Sequence, residues 1–196
     1  MLSVLVTLAL SQNPAWVDAA RAQLGTPYEL GGRKRKRGEG LDCEGVVFAA
    51  AEKVTGCGWK SYSYNPTTLV AKKQLGAPVP GLNPVSTQKL DVSKLQPGDV
   101  LMLIAPDPNP KEGPIGKLDG TDVWVWHVGL YAGDGKWIVG DHFAGRAVET
   151  DLLAYLNEHA DTYSGVFVTR PAGEKPKPCR KHAPIPTQAK PLGATP

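Results

Sequence analysis

The chain has 196 residues, of which 41% are hydrophobic, and it carries a formal net charge of +3. The charge is uneven, because residues 33–39 and residues 171–196 each hold a net +4, which leaves −5 for the rest. A mildly acidic body with two short basic segments is not the charge distribution of a nucleic-acid-binding protein. The length suits one hydrophobic core, so we expect a single domain over residues 12–170. The proline- and lysine-rich tail, residues 171–196, is expected to be disordered or to lie on the surface.

The first eleven residues are open to two interpretations. Leu2 to Leu10 is a short apolar run, and Ala9-Leu10-Ser11 has the small residues of a signal-peptide cleavage site. No positive charge precedes the run, however, and it is far too short to cross a bilayer. We favour a signal peptide over residues 1–11, with a strand or helix packed on the domain as the alternative. No later segment of the sequence is apolar enough to cross a membrane.

Three helices are predicted in the first half of the chain. Each begins at an Asn or Asp that can act as N-cap and ends at a glycine, the residue that most readily adopts a left-handed conformation. These helices are expected from Asn13 to Gly25, from Asp42 to Gly56 and from Asn65 to Gly76. A glycine-rich and strongly basic loop joins the first two.

The second half changes to the period-two alternation that is typical of strands. Strands are predicted over residues 100–104, 122–132, 136–143 and 165–170, with a short helix over residues 151–159. The tight turn Gly133-Asp134-Gly135 makes the second and third strands a hairpin. Residues 77–95 and 106–120 are rich in proline and are predicted to be loops. Helices first and a mostly antiparallel sheet second indicate the α+β class.

Cys43 is the residue with the most reactive expected position. It follows the N-cap Asp42, so its thiol lies in the first turn of the second helix, where unpaired N–H groups and the helix dipole favour an anion. The sequence therefore predicts a lowered thiol pKa, which is the condition for a nucleophile. The alternative is a structural cysteine, but that would fall more naturally among the apolar residues 46–51. We interpret Cys43 as a nucleophile.

A nucleophilic cysteine needs a base, and His127 is the only one of the four histidines inside a strongly patterned strand. Alternation along that strand places its side chain on the same face as those of Val125, Gly129 and Tyr131. We therefore interpret His127 as the base that removes the thiol proton.

A third group is needed to orient the imidazole, and the following strand offers Asp141 or His142. Because side chains alternate across a hairpin, we expect Asp141 to share the face of His127 and His142 to point outward. A bulge at Gly140 would reverse the two. A carboxylate can both orient an imidazole and stabilise its charged form, which favours Asp141.

Several motifs together resemble the opening signature and the later motifs of the NlpC-type cell-wall peptidases. In chain order they are Gly25-Thr26-Pro27-Tyr28, Gly31-Gly32, Leu41-Asp42-Cys43-Glu44-Gly45, Leu95-Gln96-Pro97-Gly98-Asp99-Val100 and His127-Val128-Gly129-Leu130-Tyr131-Ala132-Gly133-Asp134-Gly135-Lys136. The resemblance extends from Asn13 to Arg170. It implies a papain-like core, with the cysteine at a helix start packed on an antiparallel sheet that carries the histidine. It also implies hydrolysis of peptide bonds in the stem peptides of peptidoglycan.

The same resemblance implies substrate-binding roles for Tyr28 and Asp42, which would line the pocket near the nucleophile and hold a substrate amine. Two positions depart from the family's pattern. Glu44 stands where the family usually has serine, so a second carboxylate lines the pocket beside the thiol. The family's third polar residue falls at Val139, so Asp141 or His142 must replace it, or the site is a dyad.

Two further features bear on location and partners. Cys43, Cys57 and Cys179 are the three cysteines, so an exported protein with a reactive Cys43 is expected to pair Cys57 with Cys179. The basic run Arg33–Arg37 is either a solvated loop or a contact for an anionic polymer.

We therefore expect a secreted or periplasmic cysteine hydrolase that acts on peptidoglycan through a thioacyl-enzyme intermediate. No metal or cofactor is expected, because the histidines and cysteines lack the spacing of metal ligands. One alternative is an enzyme of the same fold delivered to another cell's wall, as a toxin or a phage lysin. The other is a binding module that keeps the fold without turnover.

Overall fold

The computed structural model describes residues 13–33, 40–173 and 175–180. The predicted signal peptide, most of the basic run and the end of the tail lie outside these residues. No helix within the described ranges is both long enough and apolar enough to span a bilayer.

Four α-helices occur in the described part of the chain, and the first three begin where the sequence predicts. They are α1 (Pro14–Arg21), α2 (Cys43–Thr55), α3 (Pro66–Ala71) and α4 (Leu152–Glu158). Helix α2 begins at the predicted cap, since the Asp42 carboxylate accepts a hydrogen bond from the Gly45 N–H at 2.7 Å. It ends at Gly56, whose φ of 72° is left-handed. Helices α1 and α3 end earlier than predicted, in turns.

The described residues form one sheet of eight antiparallel strands. The strands are β1 (Ala77–Pro78), β2 (Val85–Ser86), β3 (Val100–Ala105), β4 (Gly116–Leu118), β5 (Thr121–Gly133), β6 (Lys136–Asp141), β7 (Arg146–Asp151) and β8 (Gly165–Arg170). The order across the sheet is β1-β8-β3-β5-β6-β7, with β2 paired to β8 and β4 paired to β5. The predicted α+β class is confirmed.

Four of these strands are absent from the sequence prediction. Strands β1, β2 and β4 have only two or three residues each, too few for an alternating pattern, and they lie in segments expected to be loops. Strand β7 is longer but lies at the edge of the sheet, and only Ala147 is fully buried along it. A strand that buries one side chain carries no hydrophobic alternation, so the sequence contains no signal for it.

Hydrophobic cores cover both faces of the sheet. On one face, which we call the helix side, α1 and α2 pack against Met102, Val128 and Ile138. On the other, the far side, α4 packs against Leu103, Trp137 and Val139. Cys43 contacts both cores, so the start of α2 lies where the two meet.

Close backbone contacts fix the start of α2. A Cβ atom at Gly140 of β6 would lie 2.6 Å from the Asp42 carbonyl oxygen and 3.0 Å from the Cys43 nitrogen. A Cβ atom at Gly45 would lie 2.4 Å from the Gly32 carbonyl oxygen. Any side chain at either glycine would push the helix start away, so these contacts determine where the Cys43 thiol lies.

A β-bulge in β5 changes which way His127 faces. Leu103 pairs with His127 but Ile104 pairs with Val125, which leaves Trp126 as an extra residue. Val125 belongs to the helix-side core, whereas Leu103, opposite His127, belongs to the far-side core. The prediction that His127 and Val125 share a face is therefore wrong, because the bulge interrupts the alternation between them.

Cys57 and Cys179 form a disulfide, which leaves Cys43 as the free cysteine. The described end of the tail continues onto the end of α2, since the Gly58 N–H donates to the Arg180 carbonyl oxygen at 2.9 Å. The Arg180 N–H in turn donates to the Ser61 hydroxyl at 2.7 Å. The tail thus lies against the surface up to residue 180.

Candidate active site

A cleft of about 420 Å³ opens beside the start of α2. Residues from α2, the bulge in β5 and the loop before β4 line it. They include Asp42, Cys43, Glu44, Glu112, Trp126 and His127. The structure therefore brings the predicted nucleophile and the predicted base to one open cleft, although they are 84 positions apart in the sequence.

The thiol of Cys43 is half-buried and its electrostatic environment differs from the prediction. Burial, together with the negative charges of Asp42 and Glu44, raises its pKa to about 12. Hydrogen bonds from the backbone at Val128 and Glu44 act in the opposite direction. The expectation that the helix start lowers this pKa is wrong for the free protein, because burial and the two flanking carboxylates outweigh the backbone hydrogen bonds to the thiol.

His127 is buried, with 3% of its surface exposed, and its Nε2 has no hydrogen-bond partner in the described residues. Burial lowers its pKa to about 4, and the charge of Asp141 opposes that shift. The imidazole is therefore neutral near pH 7. Aromatic rings surround it, with centroids 5.9 Å away for Trp137, 6.1 Å for Tyr155 and 6.0 Å for Tyr163.

Asp141 lies beside His127, as the register predicts. Gly129 of β5 pairs with Val139 of β6. His127 is two residues before Gly129 and Asp141 is two residues after Val139, so in this antiparallel pair both lie on the same face. Pairing of β6 with β7 continues through Gly140 and Asp141 without a shift, so the described strand has no bulge at Gly140. The Asp141 carboxylate, however, accepts a hydrogen bond from the Phe143 N–H at 2.8 Å. No hydrogen bond in the described residues joins it to the His127 ring, so its influence there is through charge.

His142 follows the end of β6 and is exposed, yet its ring is not remote from the cleft. Its centroid lies 6.4 Å from that of His127 and 6.0 Å from that of Tyr28. Asp141, by contrast, is 6% exposed. The assignment of Asp141 as third residue stays a prediction, with His142 as the nearby alternative.

The three predicted substrate-binding residues differ in whether their polar groups are already bound by other residues of the protein. Tyr28 is half-buried, and burial together with the charges of Cys43 and Asp42 raises its pKa to about 12. The Asp42 carboxylate caps α2, accepts the Gly31 N–H at 2.9 Å and pairs with Arg33. The Glu44 carboxylate lies 2.5 Å from the Arg33 guanidinium. Tyr28 is therefore the one whose polar group is not held in an ion pair.

Sequence reasoning misses two charged residues of this region. The sequence places Arg33 in a solvated or polymer-binding run, but its side chain is only 10% exposed and points to Asp42 and Glu44. It is thus unavailable to an external polymer, while residues 34–37 lie outside the described ranges.

Glu112 lines the cleft from a segment predicted to be a featureless loop. Burial raises its pKa to about 7. Its proline-rich surroundings contain no signal of a site.

No group of three or more His, Cys, Asp or Glu side chains in the described ranges has an arrangement that could hold a metal ion. The chemistry that the arrangement supports is that of a thiol and a neutral imidazole that line the same cleft. Such a pair can transfer a proton during nucleophilic attack without first forming an ion pair.

Comparison with known proteins gives structural matches only. No protein-family model matches the sequence, and no curated protein matches it. Similar solved structures include NlpC1 from Trichomonas vaginalis, with a TM-score of 0.51 and 17% identity over 82% of this chain and 44% of that one. NlpC2 from the same organism has a TM-score of 0.50 and 17% identity over 82% of this chain and 47% of that one. The peptidoglycan hydrolase RipB from Mycobacterium tuberculosis has a TM-score of 0.47 and 21% identity over 80% and 62%.

This chain spans less than half the length of the two Trichomonas chains. Identities near 17% establish shared architecture and leave activity open. The helix start that carries Cys43 and the antiparallel strand that carries His127 are the features that the motifs predicted. The chain has the NlpC-type, papain-like fold, and the resemblance read from its motifs is confirmed at the level of fold.

Proposed function

We propose that the protein is a cysteine hydrolase that cleaves an amide bond, with the stem peptides of peptidoglycan as its substrate class. The observation that carries the proposal is the shared cleft, which is lined by both the Cys43 thiol and the His127 imidazole. The motif resemblance to NlpC-type peptidases and the fold support the substrate class. Contact with peptidoglycan is common to this reaction and to the binding alternative below.

The proposed reaction starts from a neutral thiol and a neutral imidazole. As the Cys43 sulfur attacks the substrate carbonyl carbon, His127 accepts the thiol proton and then donates it to the leaving amine, so the C–N bond breaks. His127 next takes a proton from water, which attacks the thioacyl carbon and releases a carboxylic acid and the thiol. Backbone N–H groups at the start of α2 would stabilise the oxyanion in both steps.

Substrate binding is proposed for Tyr28, Asp42 and Glu44, on the side of the cleft next to the thiol. Asp42 and Glu44 already contact Arg33, so a substrate amine would have to compete with a guanidinium for their oxygens. We expect Tyr28 to contribute more of the direct binding, and the two carboxylates to shape the polarity of the pocket.

Export to an oxidising compartment, secreted or periplasmic, is part of the proposal. The Cys57–Cys179 disulfide supports it, because such bonds persist outside the reducing cytosol. We propose residues 12–170 as the domain and residues 171–196 as its tail. The Cys57–Cys179 disulfide would hold the first part of that tail against the end of α2. Delivery as a toxin or lysin would differ in route and leave the catalytic pair unchanged.

The test is incubation of the purified, disulfide-intact protein with defined muropeptides, with products identified by mass. We expect cleavage of one amide bond by the native protein and none by Cys43→Ala, which should retain its fold by circular dichroism. Equal cleavage by Cys43→Ala would reject Cys43 as the nucleophile.

A binding module of the same fold is the second candidate. It is favoured by the raised pKa of Cys43 and the lowered pKa of His127, since both keep the pair neutral in the free protein. Co-sedimentation with insoluble peptidoglycan, combined with the muropeptide product assay, separates the two. Binding by the native protein without any product would favour the module.

A further inference from the structure

Arg33 makes the most concentrated set of charged contacts next to the candidate nucleophile. Its Nη1 pairs with the Asp42 carboxylate, and its Nη2 lies 2.5 Å from the Glu44 carboxylate. Asp42 and Glu44 are the residues immediately before and after Cys43 in the chain. One guanidinium therefore bridges the carboxylates on both sides of the thiol, in the fork geometry that arginine provides and lysine does not.

The position of Arg33 is built into the fold rather than sampled by a mobile surface side chain. Its carbon Cζ lies 5.5 Å from the ring centre of Phe48 and 5.4 Å from that of Tyr64. These distances are within the range of cation–π contacts. Its Nη1 also donates to the Gly32 carbonyl oxygen at 2.9 Å. With 10% of its side chain exposed, the guanidinium acts through little intervening water.

Without Arg33, the start of α2 would hold two buried or half-buried carboxylates beside the sulfur. Asp42 opposes by its charge the negative charge that develops on Cys43 when it attacks a carbonyl carbon, and Glu44 does so above its own pKa, which burial raises to about 8. The guanidinium also interacts with Cys43 directly through charge. Its positive charge is therefore placed to offset the effect of Glu44, the carboxylate that replaces the serine of NlpC-type peptidases.

We propose that Arg33 is a positioning residue of the active site, which neutralises the carboxylates flanking Cys43 and thereby allows negative charge to develop on its sulfur during attack. This inference rests on the proposed function, because it gives Arg33 a part in that reaction. Arg33 and Glu44 act as one unit in it, so that removal of the arginine alone leaves a worse site than removal of both.

Other titratable groups face the same thiol and must stay constant in a test. They are Tyr28 from the loop before α2, His127 from β5, Asp141 from β6, Tyr155 from α4 and Tyr163 from the segment before β8. Glu112, from the loop before β4, acts on Glu44. None of these belongs to the Arg33 ion pairs, although Arg33 also acts on Tyr28 through charge.

The experiment measures alkylation of Cys43 by iodoacetamide between pH 6 and pH 10, on the disulfide-intact protein. Cys43 is then the only free thiol, so the rate reports on it directly. Arg33→Gln is expected to slow alkylation about tenfold at each pH below the plateau, which corresponds to about one pKa unit. Glu44→Gln is expected to accelerate it about threefold or more above pH 8, where the Glu44 carboxylate is charged. The double variant is expected within about threefold of the native rate.

Two further variants keep the test decisive. Arg21→Gln removes another bidentate arginine–carboxylate pair, with Glu149 at 2.7 and 2.9 Å, and should leave alkylation unchanged. Arg33→Lys keeps the charge and should be slowed less than Arg33→Gln. An unchanged rate in Arg33→Gln, or a double variant as slow as the single one, would overturn the proposal. Should Arg33→Gln fail to fold, an unchanged rate in Glu44→Gln overturns it equally.

Alkylation needs no substrate, so the inference and the proposed function fail separately. If muropeptides are cleaved, Arg33→Gln should lower kcat with little change in KM, because the effect lies on the sulfur. If no muropeptide is cleaved but the alkylation pattern holds, the hydrolase proposal fails and the electrostatic role of Arg33 stands. Cleavage without any effect on alkylation would support the hydrolase and reject the role of Arg33.

Discussion

The two halves of the candidate pair are both kept neutral mainly by burial, but the charges around them differ. Around Cys43 the environment is ionic, with carboxylates on both sides of the thiol and a buried guanidinium between them. Around His127 it is aromatic, with the rings of Trp137 and Tyr155 as neighbours and an Nε2 that has no partner in the described residues. Burial is the largest cause of both pKa shifts, but charge adds to it at Cys43 and opposes it, through Asp141, at His127.

The difference indicates how each half can be changed. The reactivity of the thiol should respond to substitutions that alter charge without altering shape. The basicity of the imidazole should respond mainly to substitutions that alter packing, because the charge of Asp141 is the only effect that opposes its burial. If a change of charge beside Cys43 altered the basicity of His127, or a change of packing around His127 altered the reactivity of Cys43, the two environments would not be independent.

Replacement of His127 should have the largest effect on that comparison. His127→Ala removes the base, and we expect kcat/KM to fall by about a thousandfold or more. Alkylation at pH 9 should change far less, since it depends on the small thiolate fraction in equilibrium with solvent and not on proton transfer to the imidazole. An equal loss of alkylation would mean that the imidazole also sets the ionisation of Cys43, as in a preformed ion pair.

The acidity of His127 gives the native protein a defined acid limit. Burial lowers the pKa of this imidazole to about 4, so it can still accept a proton down to that pH. As pH falls through about 4 it becomes charged and can no longer act as a base, and kcat/KM should fall. An acid limit near the ordinary histidine pKa of about 6.5 would contradict the burial effect.

Gly140 tests whether the position of the helix start matters as much as its charge. Gly140→Ala places a Cβ atom 2.6 Å from the Asp42 carbonyl oxygen, so the start of α2 must move. A displacement of about 1 Å can cost about a hundredfold in rate, and we expect a fall in kcat/KM of that order. Gly113→Ala is the matched control, because no atom lies within 4 Å of the position that its added methyl group would take and its φ is ordinary.

The helix and the strand that carry the candidate pair were readable from the sequence, because their signals are local. Asp42 caps α2 by accepting a hydrogen bond from Gly45, three residues later in the chain. The period-two pattern around His127 predicts a strand without knowledge of which strands pair with it. The NlpC-type motifs then added the relation between the two, which no local pattern contains.

The features that the sequence does not reveal depend on contacts between distant parts of the chain. The bulge at Trp126 is defined by the pairing of β5 with β3, so the alternating sequence around it does not predict the bulge. The direction of the Cys43 pKa depends on burial, which a helix-start argument does not include. The inward position of Arg33 is hidden by four basic neighbours that resemble a solvated run.

Asp141 should have a smaller effect than Gly140. Its charge raises the pKa of His127, but its carboxylate is hydrogen-bonded to Phe143 rather than to the imidazole. Asp141→Asn should lower kcat/KM about tenfold and shift the acid limit to lower pH, because the imidazole becomes harder to protonate. His142→Ala should be milder. The opposite ranking of these two variants would assign the third position to His142.

The smallest expected effect concerns Glu112, the cleft carboxylate that has no arginine beside it. Its Oε2 is buried without a partner in the described residues, and burial raises its pKa from 4.5 to about 7. A folded-state pKa above the unfolded one stabilises the protein at low pH, and that stabilisation is lost as pH rises through about 7. Because the side chain is only half-buried, solvent screening should limit the effect to about 1 kcal/mol.

Glu112→Gln should therefore reduce the loss in free energy of unfolding between pH 5 and pH 8, as measured by urea denaturation. Glu149→Gln is the control with the opposite sign, because Arg21 lowers the pKa of that carboxylate. Its contribution is present above the unfolded pKa and is lost as pH falls, so its removal should matter least in acid. If both variants shift the pH dependence in the same direction, the arginine partner of Glu149 does not account for the difference between these two carboxylates.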